Sequence, residues 1–132
     1  MYLEVDEQQF ELHSKLGVAK KIEKRFKSTI GQIFGKLDVA EIDELIDILA
    51  IATQKEGEEL KEFKNLVIDN FDYGDLNIAV QDYIIELQFS GTPEQNEKKL
   101  QKLQLPENQK NEIRKALGLP VHKTEDSTGN EL

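Results

Sequence analysis

Residues 38–54 read DVAEIDELIDILAIATQ, and the reading of this stretch decides the fold. In its first half Val39, Ile42, Leu45, Ile46 and Leu49 recur at three- and four-residue spacings, which puts them on one stripe of a helix. Glu41, Asp43, Glu44 and Asp47 fall on the other side. Over residues 48–52 every side chain is apolar, so a helix there has no polar face to give to water and must be covered on nearly all sides. Asp38 can accept hydrogen bonds from the free amides of a first turn, and Glu41, three residues on, can reach back to the Asp38 amide. The pattern predicts a central helix that starts at an Asp38/Glu41 capping box.

On the N-terminal side, residues 2–5 and 10–12 alternate apolar and polar, with Leu3 and Val5 in one run and Phe10 and Leu12 in the other. They predict a hairpin whose loop, residues 6–9, lacks the Asn-Gly or Asp-Gly pair of a tight turn. A lone hairpin is barely stable in water, so its apolar face is expected to lie on helices. Ser14 can cap a helix running to about Lys27, with Leu16, Ala19, Ile22 and Phe26 on its stripe and a polar face rich in lysine. No aromatic interleaves that basic face to stack on bases, which favours a solvated face over nucleic-acid binding. Thr29 and Gln32 form a capping box that opens a short helix with Ile30, Ile33, Phe34 and Leu37 on one side.

On the C-terminal side, residues 55–57 break the pattern, and Leu60, Phe63, Val67 and Phe71 resume it with Leu66 and Ile68 beside them. The loop DNFDYGD, residues 69–75, resembles a calcium loop only in outline. With Gly74 at the sixth loop position, Phe71, Tyr73 and Val80 occupy three ligand positions, so the oxygen cage is missing and a turn is expected. Asp75 can cap a helix over residues 76–89, with Leu76, Val80, Tyr83, Ile84 and Leu87 on its stripe and Ile78, Ile85 and Phe89 off it. Gly91 ends that helix, and Thr92, Pro93 and Gln95 start another by cap, first-turn proline and capping box. Residues 94–104 and 106–117 are polar, with few apolar anchors, and the makeup of residues 118–132 predicts a disordered tail.

Assembled, these segments predict a mainly α chain with an N-terminal β-hairpin packed on a compact bundle of about five to six helices. Residues 1–117 form one domain, with residues 1–90 as its core and residues 91–117 as weakly packed polar helices. The 132 residues suffice for one core, and the absence of cysteine removes disulfides and thiolate metal sites. His13 and His122 stand far apart, no apolar run spans a bilayer, and the N-terminus carries no charged-then-apolar leader. The sequence thus predicts a soluble, intracellular protein without cofactor or metal.

The net charge of −9 argues against nucleic-acid binding, which depends on basic side chains displacing counterions. The acids are concentrated: residues 29–90 hold fourteen acidic and four basic side chains, and residues 91–132 hold seven of each. They read as solvated faces that keep the chain in solution, or as a steering field for a basic partner. There is no phosphate-binding glycine loop, nucleophile elbow or paired metal-ligand motif, and Ser14, Ser28, Ser90 and Ser127 read as caps, terminators or tail. Carboxylates on an outer helical face lack the burial that would tune them for acid–base work. A non-catalytic protein is expected.

One resemblance goes further. Phe10-Glu11-Leu12, Leu16-Gly17, Ile22-Glu23-Lys24 with Phe26, and the start of the helix over residues 38–49 follow one another in an order and spacing that resembles the tail assembly chaperones of long-tailed bacteriophages, especially those of Gram-positive hosts. It covers roughly residues 2–90. The family often shows an Asn-Gly type hairpin turn where this chain has Asp6-Glu7-Gln8-Gln9.

The resemblance implies an assembly factor that binds the long, apolar helical tape measure protein, keeps it soluble and helps recruit tail tube protein. Such a factor works in the host cytoplasm, is absent from the mature virion, and often has a longer form made by frameshifting; for this chain self-association is a further expectation. A holdase needs apolar surface for its client and like charge to keep the loaded complex dissolved. The over-apolar positions Ile48, Ile51, Ile85 and Phe89 are the candidate partner-binding residues, by a helix-in-groove mode; the alternative is that they complete the core. Two other readings are an acidic regulator that inhibits a basic nucleic-acid-binding partner, and a small virion structural protein.

Overall fold

A computed structural model of the chain describes residues 1–89 and 91–122. It is mainly helical, with an N-terminal two-stranded antiparallel hairpin and, among the described residues, seven α-helices. The chain divides into two compact units, the first spanning Met1–Gln88 and the second beginning at Phe89.

In the first unit, β1 (Tyr2–Val5) pairs with β2 (Gln8–Glu11), with Leu3 opposite Phe10 and Val5 opposite Gln8. The turn is therefore the two residues Asp6 and Glu7 rather than the expected four. Both hold positive φ, 50° and 64°, the left-handed pair that a tight hairpin turn of type I′ requires and that glycine or asparagine adopts most easily. The inner face of the hairpin buries Leu3 and Val5, while Phe10 meets Phe63 edge-on with ring centroids 4.9 Å apart. Past β2 the chain is tied to the bundle by the His13 amide, which donates to the Ala52 carbonyl at 2.8 Å.

Five helices and one 3-10 turn complete this unit: α1 (Leu16–Phe26), α2 (Ile30–Gly35), the 3-10 turn Leu37–Val39, α3 (Ile42–Thr53), α4 (Gly57–Asn70) and α5 (Tyr73–Gln88). The central stretch is α3, where Leu45, Ile46, Ile48, Leu49, Ala50 and Ala52 are all buried, so the apolar run is covered as its composition demands. Around it pack Val18 and Ile22 of α1, Phe63 and Val67 of α4, and Leu76, Val80, Tyr83 and Ile84 of α5. Each large apolar side chain fully buried here contributes roughly 1.5–3 kcal/mol of transfer free energy. The Tyr83 hydroxyl, inside this core, donates to the His13 carbonyl at 2.5 Å, and burial, reinforced by Glu86, pushes its phenol well above the usual tyrosine range.

Three helix starts differ from expectation, each for a visible reason. α3 begins after Glu41, not Asp38: Glu44 Oε1 accepts the Glu41 amide at 3.0 Å, a capping pair one turn later. Residues 37–40 are drawn out of the helix by α5, whose Asn77 Nδ2 donates to the Leu37 carbonyl at 2.9 Å and whose Tyr73 hydroxyl donates to the Ala40 carbonyl at 3.1 Å. α5 itself is capped by Asp72, whose Oδ1 accepts the Asp75 amide at 2.8 Å, so Asp75 is a first-turn residue and not the cap. α1 has no side-chain cap, and its first residue, Leu16, is 88 % exposed instead of lying on the buried stripe. Val18 takes that place, because it shares a helical face with Ile22 at a spacing of four, whereas Leu16, six residues before Ile22, lies about 120° from it around the axis.

The second unit contains α6 (Pro93–Lys102) and α7 (Glu107–Leu117). The Thr92/Gln95 capping box and first-turn Pro93 start α6 as expected, with the Gln95 amide donating to Thr92 Oγ1 at 3.2 Å. Gly118 ends α7 with φ 72°, a left-handed terminator that turns the chain back. Of the tail expected over residues 118–132, Leu119 is buried and His122 is bonded to Asn111, while residues 123–132 lie outside the described residues, as does Ser90.

Candidate partner-binding surface

The four candidate residues do not form one exposed patch. Ile48 is 2 % exposed in the core of α3, Ile85 is buried near the end of α5, and Phe89 is buried as well. Ile51 is half-buried and packs on the core cluster. A partner meets only Ile51 directly, in a shallow cavity of about 330 Å³ where Ala50 and Leu60 lie with it among Lys21, Arg25, Lys55 and Lys64. The cations there are partly spent, since Asp47 accepts from Arg25 at 2.8 Å and faces Lys64 Nζ at 3.3 Å. Asp47 thus ties α1 and α4 to α3 instead of standing free on a wet face.

The apolar surface that water does reach lies at the other end of α3. Val39 is 75 % exposed and Ile42 52 % exposed, although both were expected on the buried stripe. Val39 lies in the 3-10 turn and Ile42 is the first residue of α3, so both sit ahead of the buried part of the helix, which begins at Leu45. Val39 lines a cavity of about 260 Å³ together with Phe26, Ile33, Leu37, Ala40 and Ile48, with Ser28, Lys36 and Glu44 as its polar members. So Ile48 does contribute to a surface feature, as part of a cavity wall that closes over it. The acids Asp38, Glu41 and Asp43 flank Val39 and Ile42 and are all exposed. The result is a mostly apolar cavity beside which the chain carries exposed acids.

In the second unit the sequence missed the main feature. Arg114 of α7 is 1 % exposed. Its Nε and Nη2 donate to the two carboxylate oxygens of Glu97 at 2.9 and 3.0 Å, and its Nη1 donates to Glu107 at 2.6 Å and to Asn111 Oδ1 at 2.7 Å. This fork is the geometry in which arginine binds carboxylates most strongly. Hydrogen bonding to Arg114 is the largest influence on both acids and holds their carboxyls below the usual range, against some opposing desolvation. Glu107 and Asn111 precede Arg114 by seven and three residues on α7 itself, but Glu97 stands seventeen residues away on α6, and no local spacing announces that partner. Glu97 at 22 % and Glu107 at 37 % exposure keep one side in water.

No family model, curated protein or solved structure matches the chain. None of the described helices is long and apolar enough to cross a membrane.

Proposed function

We propose that the protein is a non-catalytic bacteriophage tail assembly chaperone that acts in the host cytoplasm, binds the apolar helical tape measure protein, helps recruit tail tube protein and leaves before the virion is mature. The observation that carries the reading is the pair Val39 and Ile42, both exposed, with Val39 lining a mostly apolar cavity and the exposed acids Asp38, Glu41 and Asp43 adjoining them in the chain. An apolar helix can lay one side chain into such a cavity and others across Val39 and Ile42, the helix-in-groove mode. The exposed acids then keep the loaded complex dissolved by like-charge repulsion. The order of hairpin, basic helix and capped core helices supports the same reading through its resemblance to that family.

The test is co-expression with tape measure fragments, reading their soluble yield. Val39→Asp and Ile42→Asp alter exposed side chains, so the variants fold, and the reading requires that rescue of the fragments is lost. Full rescue by both folded variants contradicts the assignment of this surface. Mass spectrometry of purified particles separates a departed chaperone, absent from them, from a structural component.

A further inference from the structure

Residues 118–122 are held on the second unit in a way that is suited to any extended peptide. After Gly118 the chain doubles back along α7, with the Leu119 amide donating to the Arg114 carbonyl at 2.8 Å and the Leu119 side chain buried. Three residues on, the Asn111 carboxamide pairs with the backbone of His122 as an adjacent strand would. Its Nδ2 donates to the His122 carbonyl at 2.6 Å, and its Oδ1 accepts the His122 amide at 3.0 Å. Such a clamp reads main chain and is indifferent to sequence. The His122 ring lies between two carboxylates, Nε2 3.8 Å from Glu97 and Nδ1 3.6 Å from Glu107.

We propose that this surface is a recognition site for an extended segment of a partner protein carrying an aliphatic residue and, three positions later, a cation, and that residues 119–122 fill it in cis. Two contacts define the specificity, the pocket that takes Leu119 and the paired carboxylates, while the Asn111 clamp holds the main chain whatever its sequence. Glu97 and Glu107 carry two negative charges against the single charge of Arg114, with Lys110 adding positive potential at Glu107 while donating to the Gln101 carbonyl. A further cation between them completes the balance. In the cis segment Leu119 is buried and the main chain is bonded, while Val121 is 49 % exposed and the His122 ring 44 %, so the cation position is the least covered part of the site. The segment's hold rests also on tethering, which raises its effective concentration to the order of millimolar. A free segment with lysine at this position brings a full positive charge to Glu97 and Glu107. The site does not depend on the surface around Val39, so it stands or falls separately from the chaperone reading.

The probe is a labelled peptide, Gly-Leu-Pro-Val-Lys, followed by fluorescence anisotropy against the full chain and against Leu119→Ala, which loosens the cis segment and leaves Asn111, Glu97 and Glu107 in place. Saturable binding is expected to both, roughly tenfold tighter to the variant, by release of the tethered competitor. The same peptide N-methylated at its lysine amide loses the hydrogen bond to Asn111 Oδ1 and is expected to bind roughly tenfold more weakly. That second comparison is made on the unaltered chain too, so it does not depend on the variant folding. Equal affinity for the methylated and unmethylated peptides, or no saturable binding to the unaltered chain at millimolar peptide, overturns the proposal.

Discussion

The first unit is held by apolar side chains from five helices and a hairpin converging on α3, whereas the second gathers two helices around a buried arginine. Both hold their helices together, but the physics differs in range and in condition. Apolar burial is indifferent to pH and salt and spreads its contribution over many residues. An arginine fork concentrates it in one side chain and its carboxylates, depends on their ionisation, and leaves a polar surface able to bind something else. The comparison explains why the candidate client surface belongs to the first unit and the candidate peptide clamp to the second.

The strongest way to break this comparison is to hollow the apolar side. Phe63→Ala removes a ring with no exposure that meets Phe10, and should cost about 4 kcal/mol, seen as a lower urea midpoint followed by circular dichroism. The matching change on the polar side is Arg114→Met, expected to cost about 2 kcal/mol. That is less than is usual for breaking a buried pair, because Glu97 and Glu107 can rehydrate. Its effect should be confined: amide exchange accelerates in α6 and α7 and stays unchanged in α3. Equal acceleration in α3 would show that the arginine is not a local device.

Acid should separate the units without mutation. Glu97 and Glu107 have carboxyls lowered by Arg114 from an ordinary value near 4.5, so they bind fewer protons folded than unfolded. Their contribution is therefore complete above about pH 4.5 and is lost as pH falls below it through the depressed folded values. Amide exchange in α6 and α7 should quicken over that window while the Leu45 and Leu49 amides remain protected. The smallest expected effect concerns the hairpin turn. Asp6→Asn with Glu7→Gly relieves two left-handed residues and should stabilise the first unit by about 0.5–1 kcal/mol, read as a raised urea midpoint.

What could be read from the sequence divides along the same line. The Thr29/Gln32 and Thr92/Gln95 boxes, the extent of β1 and the cover over residues 48–52, where Ile51 alone is half-buried, follow from spacings of four residues or fewer, and all are found. The start of α3 was misplaced because two overlapping boxes, Asp38/Glu41 and Glu41/Glu44, are equally good locally. The choice is made forty and thirty-three residues away, by Asn77 and Tyr73. That distant choice also exposes Val39 and Ile42, which is why the surface now proposed for a client differs from the Ile48, Ile51, Ile85 and Phe89 set. Arg114 was invisible for a related reason. An arginine on a polar helix reads as solvated until tertiary structure brings the Glu97 carboxylate of α6 to it, beside Glu107 of its own helix.

The central claim is that the first unit grips an apolar helix through the Val39 and Ile42 surface. Titration calorimetry of the full chain with an amphipathic tape measure segment, at low salt and again at 0.5 M, where the screening length is only roughly 4–5 Å, tests it most directly. The account predicts an affinity that survives the added salt and is abolished by Ile42→Asp. Binding that collapses with salt and is untouched by Ile42→Asp would contradict it, and would mark the acidic surface itself as the binding element.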